Sequence, residues 1–190
     1  MPAHFRFAVK APKTITHEAR LADVDALLDR FVDEIEPLGN KLGVILVQLP
    51  PGLAFDRGLA TAFFKRLRSR SAARISCEPR HRSWFEPDVE NLLADLQIAR
   101  VAADPAILPA AARPGGWRGF AYWRLHGSPV IYRSSYDARA LDDYARAIEA
   151  EGGDEAWCIF DNTASSAATA NALTMTAGLT AYARPSSAAR

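Results

Sequence analysis

The feature that most constrains this chain is an alternation of strand-like and helix-like segments that repeats six times. Apolar runs typical of strands occupy residues 5–9, 43–47, 73–77, 98–103, 120–126 and 156–160. Helical spacing of apolar residues, as at Leu27, Phe31 and Ile35, fills most of the intervals. Such alternation predicts parallel strands covered by helices. Residues 106–119 interrupt it, because their prolines and glycines favour a loop.

Each predicted strand leads into a polar side chain. The six residues are Lys10, Gln48, Glu78, Asp104, His126 and Asp161. In an open doubly wound α/β sheet the ligand residues gather at one switch point, whereas in a (β/α) barrel all strand exits meet at one mouth. Six polar exits favour the barrel, and no G-x-G-x-x-G or P-loop motif supports a nucleotide-binding open sheet.

The number of strands raises a difficulty for a complete barrel. A closed (β/α) barrel has eight strands, and the pattern contains six, with the first beginning at Phe5. We therefore predict an α/β fold that is an incomplete TIM-type barrel of six parallel strands, which either has two open edges or is closed by a partner. It is expected to form one domain over residues 1–183, followed by a frayed tail over residues 184–190.

Composition narrows the classes of protein. A chain of 190 residues with 49% hydrophobic residues can bury a core as one domain. The net charge of +1 gives no bulk attraction to nucleic acid or to an anionic membrane, so nucleic-acid binding would need a local patch. No membrane span or signal peptide is evident, and Cys77 and Cys158 fall in apolar runs that favour buried, reduced thiols. We expect a cytoplasmic protein.

The end of the third predicted strand has three ionisable side chains close together in the sequence. Pro79 ends the strand and holds Glu78 in an extended conformation, so that Arg80 and His81 lie on the loop just beyond it. Glu78 and Arg80 are either a carboxylate and guanidinium poised at the barrel mouth or a structural ion pair. His81 either contacts a substrate anion or caps the next helix together with Ser83.

The fifth strand supplies a second pair of ionisable side chains. Arg124 and His126 are two residues apart, so both point to the same face, with Leu125 toward the helices. This places Arg124 in a lower layer of the barrel interior and His126 at its rim. On the following loop, Tyr132 and Tyr136 are candidates to stack on a sugar or base.

Several ordered motifs together resemble a known family. They are Phe5-Arg6-Phe7-Ala8-Val9-Lys10-Ala11-Pro12, Ile15-Thr16-His17, Gln48-Leu49-Pro50-Pro51, the segment from Glu78 to Trp84, Arg124-Leu125-His126-Gly127 and Phe160-Asp161-Asn162. In this order the chain resembles domain-of-unknown-function family 72, a group of TIM-barrel proteins. The resemblance implies a (β/α) barrel with a polar pocket at its C-terminal mouth and no settled reaction. It also implies that the family's opening strands are absent here.

Three hypotheses of function follow. The first is an enzyme or enzyme remnant, of which a hydrolase is one form, acting on a small polar anionic ligand. In it Glu78 and His126 move protons and Asp104 and Asp161 orient the substrate, while the ligand-binding residues are Lys10, Gln48, Arg80, His81, Arg124, Tyr136 and Asn162.

The second hypothesis is a metal-dependent phosphodiesterase resembling barrel endonucleases, with Glu78, His81, Asp104, His126 and Asp161 as admissible ligands. No H-x-H or H-E-x-x-H spacing occurs, and the nearby cations oppose a bound metal. We therefore expect no intrinsic cofactor. The third hypothesis is a non-catalytic binding or assembly module, in which open barrel edges pair with a second copy of the chain.

Overall fold

A computed structural model describes residues 2–151 and 155–182. The strands are β1 (Phe7–Lys10), β2 (Leu42–Gln48), β3 (Arg74–Glu78), β4 (Ile98–Arg100), β5 (Ala102–Asp104), β6 (Gly115–Gly116), β7 (Ala121–Leu125) and β8 (Ala156–Phe160). The α-helices are α1 (Asp25–Ile35), α2 (Arg57–Arg70), α3 (Pro87–Asp95), α4 (Ala138–Ala150) and α5 (Ala167–Tyr182). Shorter helical segments are a π-helix at Thr14–Glu18 and 3₁₀ turns at Glu36–Lys41, Arg82–Phe85 and Pro109–Ala112. The tail expected over residues 184–190 lies outside the described residues.

The strands pair in the order in which they follow one another along the chain. A five-stranded sheet has the order β1-β2-β3-β4-β6, and a three-stranded sheet has the order β5-β7-β8. Every pair is parallel except β4 with β6. The prediction of an α/β fold with parallel strands is therefore confirmed.

One predicted strand is divided between the two sheets. The segment expected as a single strand over residues 98–103 becomes β4 and β5, which meet at Val101. β4 pairs with β3, β5 pairs with β7, and the Val101 amide donates to the Cys77 carbonyl at 2.8 Å. The single-strand prediction was wrong at this residue. The short β6 was also missed, because two glycines carry no strand pattern.

Side chains alternate between the two faces along each strand, and both faces of the sheets are apolar. One face carries a cluster, here called the inner cluster, contributed by strands from β1 to β8. Its buried members are Val44, Leu46, Ala99, Val101, Phe120 and Tyr122, and Trp157 and Ile159 pack against them. The opposite face packs on helices, as with Ile45 and Ile75 beside α1, α2 and α3, and with Leu125 beside α4 and α5. A residue's parity along its strand therefore decides whether it faces the interior or the helices.

Local capping explains where several helices begin. Asp56 Oδ1 accepts from the Leu59 amide at 2.7 Å at the start of α2, and Asp137 Oδ1 accepts from the Ala140 amide at 2.8 Å at the start of α4. α1 starts at Asp25 rather than near Leu21, because Leu21 and Asp23 have positive φ and cannot continue a right-handed helix. None of the helices in residues 2–151 and 155–182 combines the length and apolar character needed to cross a membrane.

Candidate functional site

Backbone hydrogen bonds just beyond the strand ends keep the carboxyl ends of neighbouring strands aligned. The Leu49 amide donates to the Glu78 carbonyl at 2.9 Å, and the His126 amide donates to the Asp104 carbonyl at 2.8 Å. The Asp161 amide likewise donates to the Leu125 carbonyl at 2.8 Å. The carboxyl ends of β2, β3, β5, β7 and β8 therefore form one continuous edge, and their inward side chains meet there.

Six side chains meet at this edge, and we call them the carboxyl-edge cluster. They are Gln48, Glu78, Arg80, Arg124, His126 and Asp161. Glu78 is at the centre, with its side chain 1% exposed. Its Oε1 accepts from Arg80 Nη2 and lies 3.2 Å from His126 Nε2, while its Oε2 accepts from Arg124 Nη1.

Arg124 and His126 join the two carboxylates. Arg124 Nη2 donates to Asp161 Oδ2 at 2.5 Å, and His126 Nδ1 lies 3.0 Å from the same oxygen. Both Arg124 and His126 therefore bridge Glu78 to Asp161. The predicted geometry of this strand is confirmed, because both side chains share the inner face while Leu125 packs toward the helices. His126 is nevertheless fully buried rather than at an open rim.

Gln48 closes the other side of the cluster. Its register partner across the sheet is Glu78. With the amide oxygen turned toward the two guanidinium groups, Gln48 accepts from Arg80 Nη2 and from Arg124 Nη1 at 3.3 Å each. The cluster thus places a neutral acceptor, rather than a third carboxylate, beside the arginines.

The two carboxyl groups are held in their ionised form. Burial raises the pKa of Glu78, but the hydrogen bond from His126 and the charges of Arg124 and Arg80 outweigh it and lower the pKa to about 2. The hydrogen bond from His126 is the largest effect on Asp161 and, with the Arg124 charge, lowers the pKa of that group as well. Both groups therefore remain acceptors near neutral pH.

The same contacts act on His126 in the opposite direction. Burial lowers the pKa of His126, but the hydrogen bonds to Asp161 and Glu78 outweigh burial and raise the pKa above its ordinary value of 6.5. In the neutral ring, Nε2 accepts from Arg80 Nη2 at 2.9 Å and Nδ1 donates to Asp161. In the protonated ring, Nε2 donates to Glu78 Oε1 instead. The proton that is gained and lost is therefore the one on Nε2.

Access to the cluster from solvent is uneven. The Asp161 side chain is 30% exposed and the Arg80 side chain is 18% exposed, whereas Glu78, Arg124 and His126 are buried. Asp161 Oδ2 serves Arg124 and His126, and Arg80 uses Nη2 for its contacts. A molecule arriving from solvent meets Arg80 and Asp161 first, with the buried groups behind them.

Three predicted site residues lie elsewhere. Asp104 points to the opposite face of its strand, where its Oδ2 accepts from the Tyr136 hydroxyl at 2.6 Å. Tyr136 is buried, whereas Asp104 is half-buried, and Asn162 is buried against Ser134 and Asn171. The expectation that all six strand exits converge was wrong for Asp104, because Asp104 pairs in register with Leu125 and lies with Ala102 on the helix-facing side of β5.

The remaining two predicted residues border the cluster without a bond to it. The imidazole of His81 accepts from the Ser83 amide at 3.3 Å and lies 2.8 Å from the Ser83 hydroxyl, so it caps the turn Arg82–Phe85. Lys10 ends β1 on the face of the inner cluster, because its register partner is Leu46. Its side chain is exposed and has no hydrogen bond within the described ranges.

Two further residues, Ser76 and His17, were not among the predicted site residues. Ser76 is fully buried on the inner face of β3, two residues before Glu78, and its Oγ has no hydrogen-bond partner among the described residues. The spacing of two from Glu78 was the signal that could have identified it. His17 follows β1 in the π-helix, and its Nδ1 lies 2.8 Å from the hydroxyl of buried Thr16.

A cavity occurs at the opposite end of the strands. It has a volume of about 650 Å³ and is lined by the starts of β2, β3 and β8, including Gly43, Arg74 and Trp157. None of the carboxyl-edge cluster lines it. We place the candidate site at the cluster, because buried ionisable groups with perturbed pKa values mark functional sites more directly than volume does.

The described residues provide no obvious metal centre. No group of three or more His, Cys, Asp or Glu side chains is placed within these ranges to hold a metal ion. In the cluster, the carboxylate oxygens of Glu78 and Asp161 are engaged by guanidinium groups and an imidazole.

Fold and site together define an α/β protein whose parallel strands carry a buried network of charged groups at their carboxyl ends. A family model described as protein of unknown function DUF72 matches residues 1–189. The chain belongs to this family, as the resemblance indicated.

Solved structures of the same family have the same fold. A crystal structure of a DUF72 family protein from Thermotoga maritima is 25% identical, with a TM-score of 0.80 over 95% of this chain and 75% of that chain. Two crystal structures of a DUF72 family protein from Enterococcus faecalis both have TM-scores of 0.76, with identities of 21% and 22%. They cover 94% and 95% of this chain, and 76% and 80% of those chains. A comparison with curated proteins gives no match.

Proposed function

We propose that this protein is an enzyme, or the remnant of one, that binds a small polar anionic ligand at the carboxyl-edge cluster. The observation that carries the proposal is the junction of two arginines and a histidine on one buried carboxylate, Glu78, with an open approach past Arg80 and Asp161. Burying Glu78, Arg124 and His126 together has a desolvation cost that their mutual pairing has to offset. Buried ionisable groups with perturbed pKa values are candidates for functional sites.

The fold that we infer for the site is an incomplete (β/α) barrel. Strands β1, β2, β3, β4 with β5, β7 and β8 follow one another in parallel, and the inner faces of β1, β2, β4, β7 and β8 share one apolar cluster. In barrels of this type, functional residues gather at the carboxyl ends of the strands. Within the described residues, β1 and β8 each pair on one side only, and these are the edges where further strands or a second copy would add.

Charge balance supports an anionic ligand. With His126 protonated, the cluster contains three cations and two carboxylates. Arg80 contributes only Nη2 to the network, so its Nη1 has no hydrogen bond within the described ranges. A guanidinium with a free edge, partly open to solvent, is suited to the oxygens of a carboxylate or phosphate.

The proton chemistry that we propose is divided between Glu78 and His126. With a pKa of about 2, Glu78 stays ionised and serves as the acceptor beside the imidazole. His126, whose pKa is raised, carries the exchangeable proton on Nε2 and is the donor. Asp161 fixes the ring through Nδ1, and Arg80 and Arg124 hold the ligand anion.

No observation in the described residues favours the alternative metal-dependent phosphodiesterase. A divalent ion would compete with arginines for the oxygens of Glu78 and Asp161. The test below includes added Mn²⁺ so that this alternative has an outcome of its own.

The test is a pair of arginine variants that are two residues apart. Arg80→Met removes from the cluster the one arginine that is partly exposed to solvent. Arg82→Met removes an exposed arginine that does not belong to the cluster. Binding of inorganic phosphate and of acetate is measured by isothermal titration calorimetry, with and without Mn²⁺. We expect saturable binding that weakens about tenfold or more in Arg80→Met and is unchanged in Arg82→Met.

Two results would overturn the proposal. One is no saturable binding of either anion to the wild-type chain, and the other is equal weakening in both variants. Binding that appears only with Mn²⁺ would instead support the metal-dependent alternative. Glu78→Gln provides the catalytic arm, since it should remove turnover of any substrate found while the far-ultraviolet circular dichroism spectrum remains native.

A further inference from the structure

The loop after β7 is fixed against the N-terminal turns of α5 by a buried amide network. Asn171 of α5 accepts from the Tyr136 amide at 3.2 Å and donates to the Tyr136 carbonyl at 3.1 Å. Asn162 donates to Asn171 Oδ1 at 2.8 Å and to the Ser134 carbonyl at 3.0 Å. The Tyr136 hydroxyl accepts from the Gly127 amide at 2.8 Å and donates to Asp104. Residues 127–136 are therefore held at both ends.

This loop presents Tyr132 directly beside the cluster. The Tyr132 amide donates to the His126 carbonyl at 2.6 Å, and the Tyr132 carbonyl accepts from the Ala164 amide at 3.0 Å. The centres of the Tyr132 and His126 rings are 5.9 Å apart, with an interplanar angle of 79°. Tyr132 thus covers one side of the buried imidazole.

The position of Tyr132 is unusual for an aromatic residue. Its φ is +67°, a conformation that glycine and asparagine adopt far more readily than a bulky side chain does. It is still 48% exposed, and the neighbouring Val130 and Ile131 are 53% and 43% exposed. Backbone strain and exposed apolar surface at one turn, next to a polar site, point to a role in recognition.

We propose that Tyr132 is a specificity-determining residue that packs on an apolar, planar group attached to the ligand's anion. This inference rests on the proposed function, because the anion itself is held by Arg80 and Arg124. The backbone of Tyr132 is already fixed by hydrogen bonds at its amide and at its carbonyl, and its ring contacts the His126 ring, so the cost of ordering this residue on binding is reduced. An aromatic acid or an aryl phosphate has both features that the site offers.

The test compares probes that share an anion and differ in the planar group. The probes are methyl phosphate against phenyl phosphate, and acetate against phenylacetate, each titrated by calorimetry. The wild-type chain is expected to bind the aryl member of each pair roughly 2- to 10-fold more tightly, the range that aromatic contacts contribute. Tyr132→Ala should remove this preference and retain methyl phosphate or acetate binding, whereas Tyr132→Phe should retain both.

Phe5→Ala is the matched control, because Phe5 is an exposed aromatic residue before β1 and should leave the preference unchanged. Equal binding of both members of each pair by the wild-type chain would overturn this inference and leave the proposed function standing. A preference that survives in Tyr132→Ala would also overturn it. If none of the four probes binds, the proposed function fails, and this inference fails with it.

Discussion

At the scale of single residues, His126 is the group through which pH acts on the cluster. Its Nδ1 is committed to Asp161, and its Nε2 faces both Glu78 and Arg80. When Nε2 is protonated, the ring stands between two carboxylates as a cation. When Nε2 loses its proton, it accepts from Arg80 and the attraction to Glu78 disappears. The ionisation of one buried ring thus rearranges the bonds of its neighbours.

We predict that deprotonation of His126 destabilises the fold. Because the pKa of His126 is raised in the folded state, its contribution is fully present below 6.5 and is lost as pH rises through the folded pKa. The free energy of unfolding should therefore fall as pH rises from 6.5 through the folded pKa, and this fall should be smaller in His126→Gln. Urea unfolding across this range measures it.

The contributions of other titrating groups cancel when the free energy of unfolding of the variant is subtracted from that of the wild type at each pH. His17 acts in the opposite direction, since burial and then the charges of Lys13 and Lys10 lower its pKa. Glu78 contributes above its unfolded value of 4.5 and loses its contribution only as pH falls toward about 2. His4→Gln, at an exposed position before β1, is the control for replacing a histidine by glutamine and should change stability by less than about 0.5 kcal/mol. An equal slope in wild type and His126→Gln would contradict the prediction.

Much of the cluster could be predicted at this scale, because strand parity and strand exits are local features. Glu78, Arg80, Arg124, His126 and Asp161 were all expected to meet, and they do. The direction of Asp104 was harder to predict, because residues 98–103 are mostly apolar at both parities and so do not indicate which parity faces the interior. In the structure Asp104 lies on the helix-facing side together with Ile98 and Ala102. Asn162 directly follows Asp161 at the end of β8. Because successive side chains of an extended segment point to opposite faces, Asn162 points away from the interior.

At the scale of elements, α5 serves as the anchor for the loop that borders the site. Asn171 lies in its second turn and satisfies both the amide and the carbonyl of Tyr136. The alanine-rich sequence of this segment favours a helix, but it does not indicate that the side-chain amide of Asn171 supports a loop 35 residues earlier. A hydrogen bond between residues so far apart in the sequence depends on the complete packing of α5 against β8.

We predict that Asn171→Ala destabilises the protein by about 1–3 kcal/mol, because the buried Tyr136 amide loses its acceptor. Urea unfolding gives the change, and hydrogen exchange by NMR should show faster exchange at the Tyr136 amide. The matched control is Asn91→Ala, on an exposed position of α3, which should change stability by less than about 0.5 kcal/mol. Unchanged exchange at Tyr136 would show that the loop is held by other contacts.

At the scale of the whole molecule, the first and last thirds of the chain meet through the inner cluster. Trp157 of β8 packs against the side that carries Val44 and Leu46 of β2, although these strands belong to different sheets. Its indole donates to Glu155 at 2.5 Å, and Glu155 forms an ion pair with Arg74 at the start of β3. These contacts tie the two sheets together at the end opposite the site.

Gly43 is the position where this long-range packing is tightest. A Cβ at residue 43 would lie 2.5 Å from Trp157 Cζ2 and 2.6 Å from Cη2, distances at which the indole must move. We predict that Gly43→Ala destabilises the protein by about 1–3 kcal/mol through overpacking. The measurement is urea unfolding of Gly43→Ala, Trp157→Phe and the double variant.

The double variant decides whether the cost arises at the indole. A smaller ring at position 157 leaves room for the new methyl group, so Gly43→Ala should cost less in the Trp157→Phe background than in the wild type. Trp157→Phe and the double variant have both lost the hydrogen bond to Glu155, so this loss cancels when the two are compared. Gly58→Ala, on an exposed position of α2, is the control and should be neutral or slightly stabilising, as glycine in a helix is unfavourable. Strict additivity would mean that β2 and β8 are not in contact in solution, and the inner cluster would then not join the two sheets.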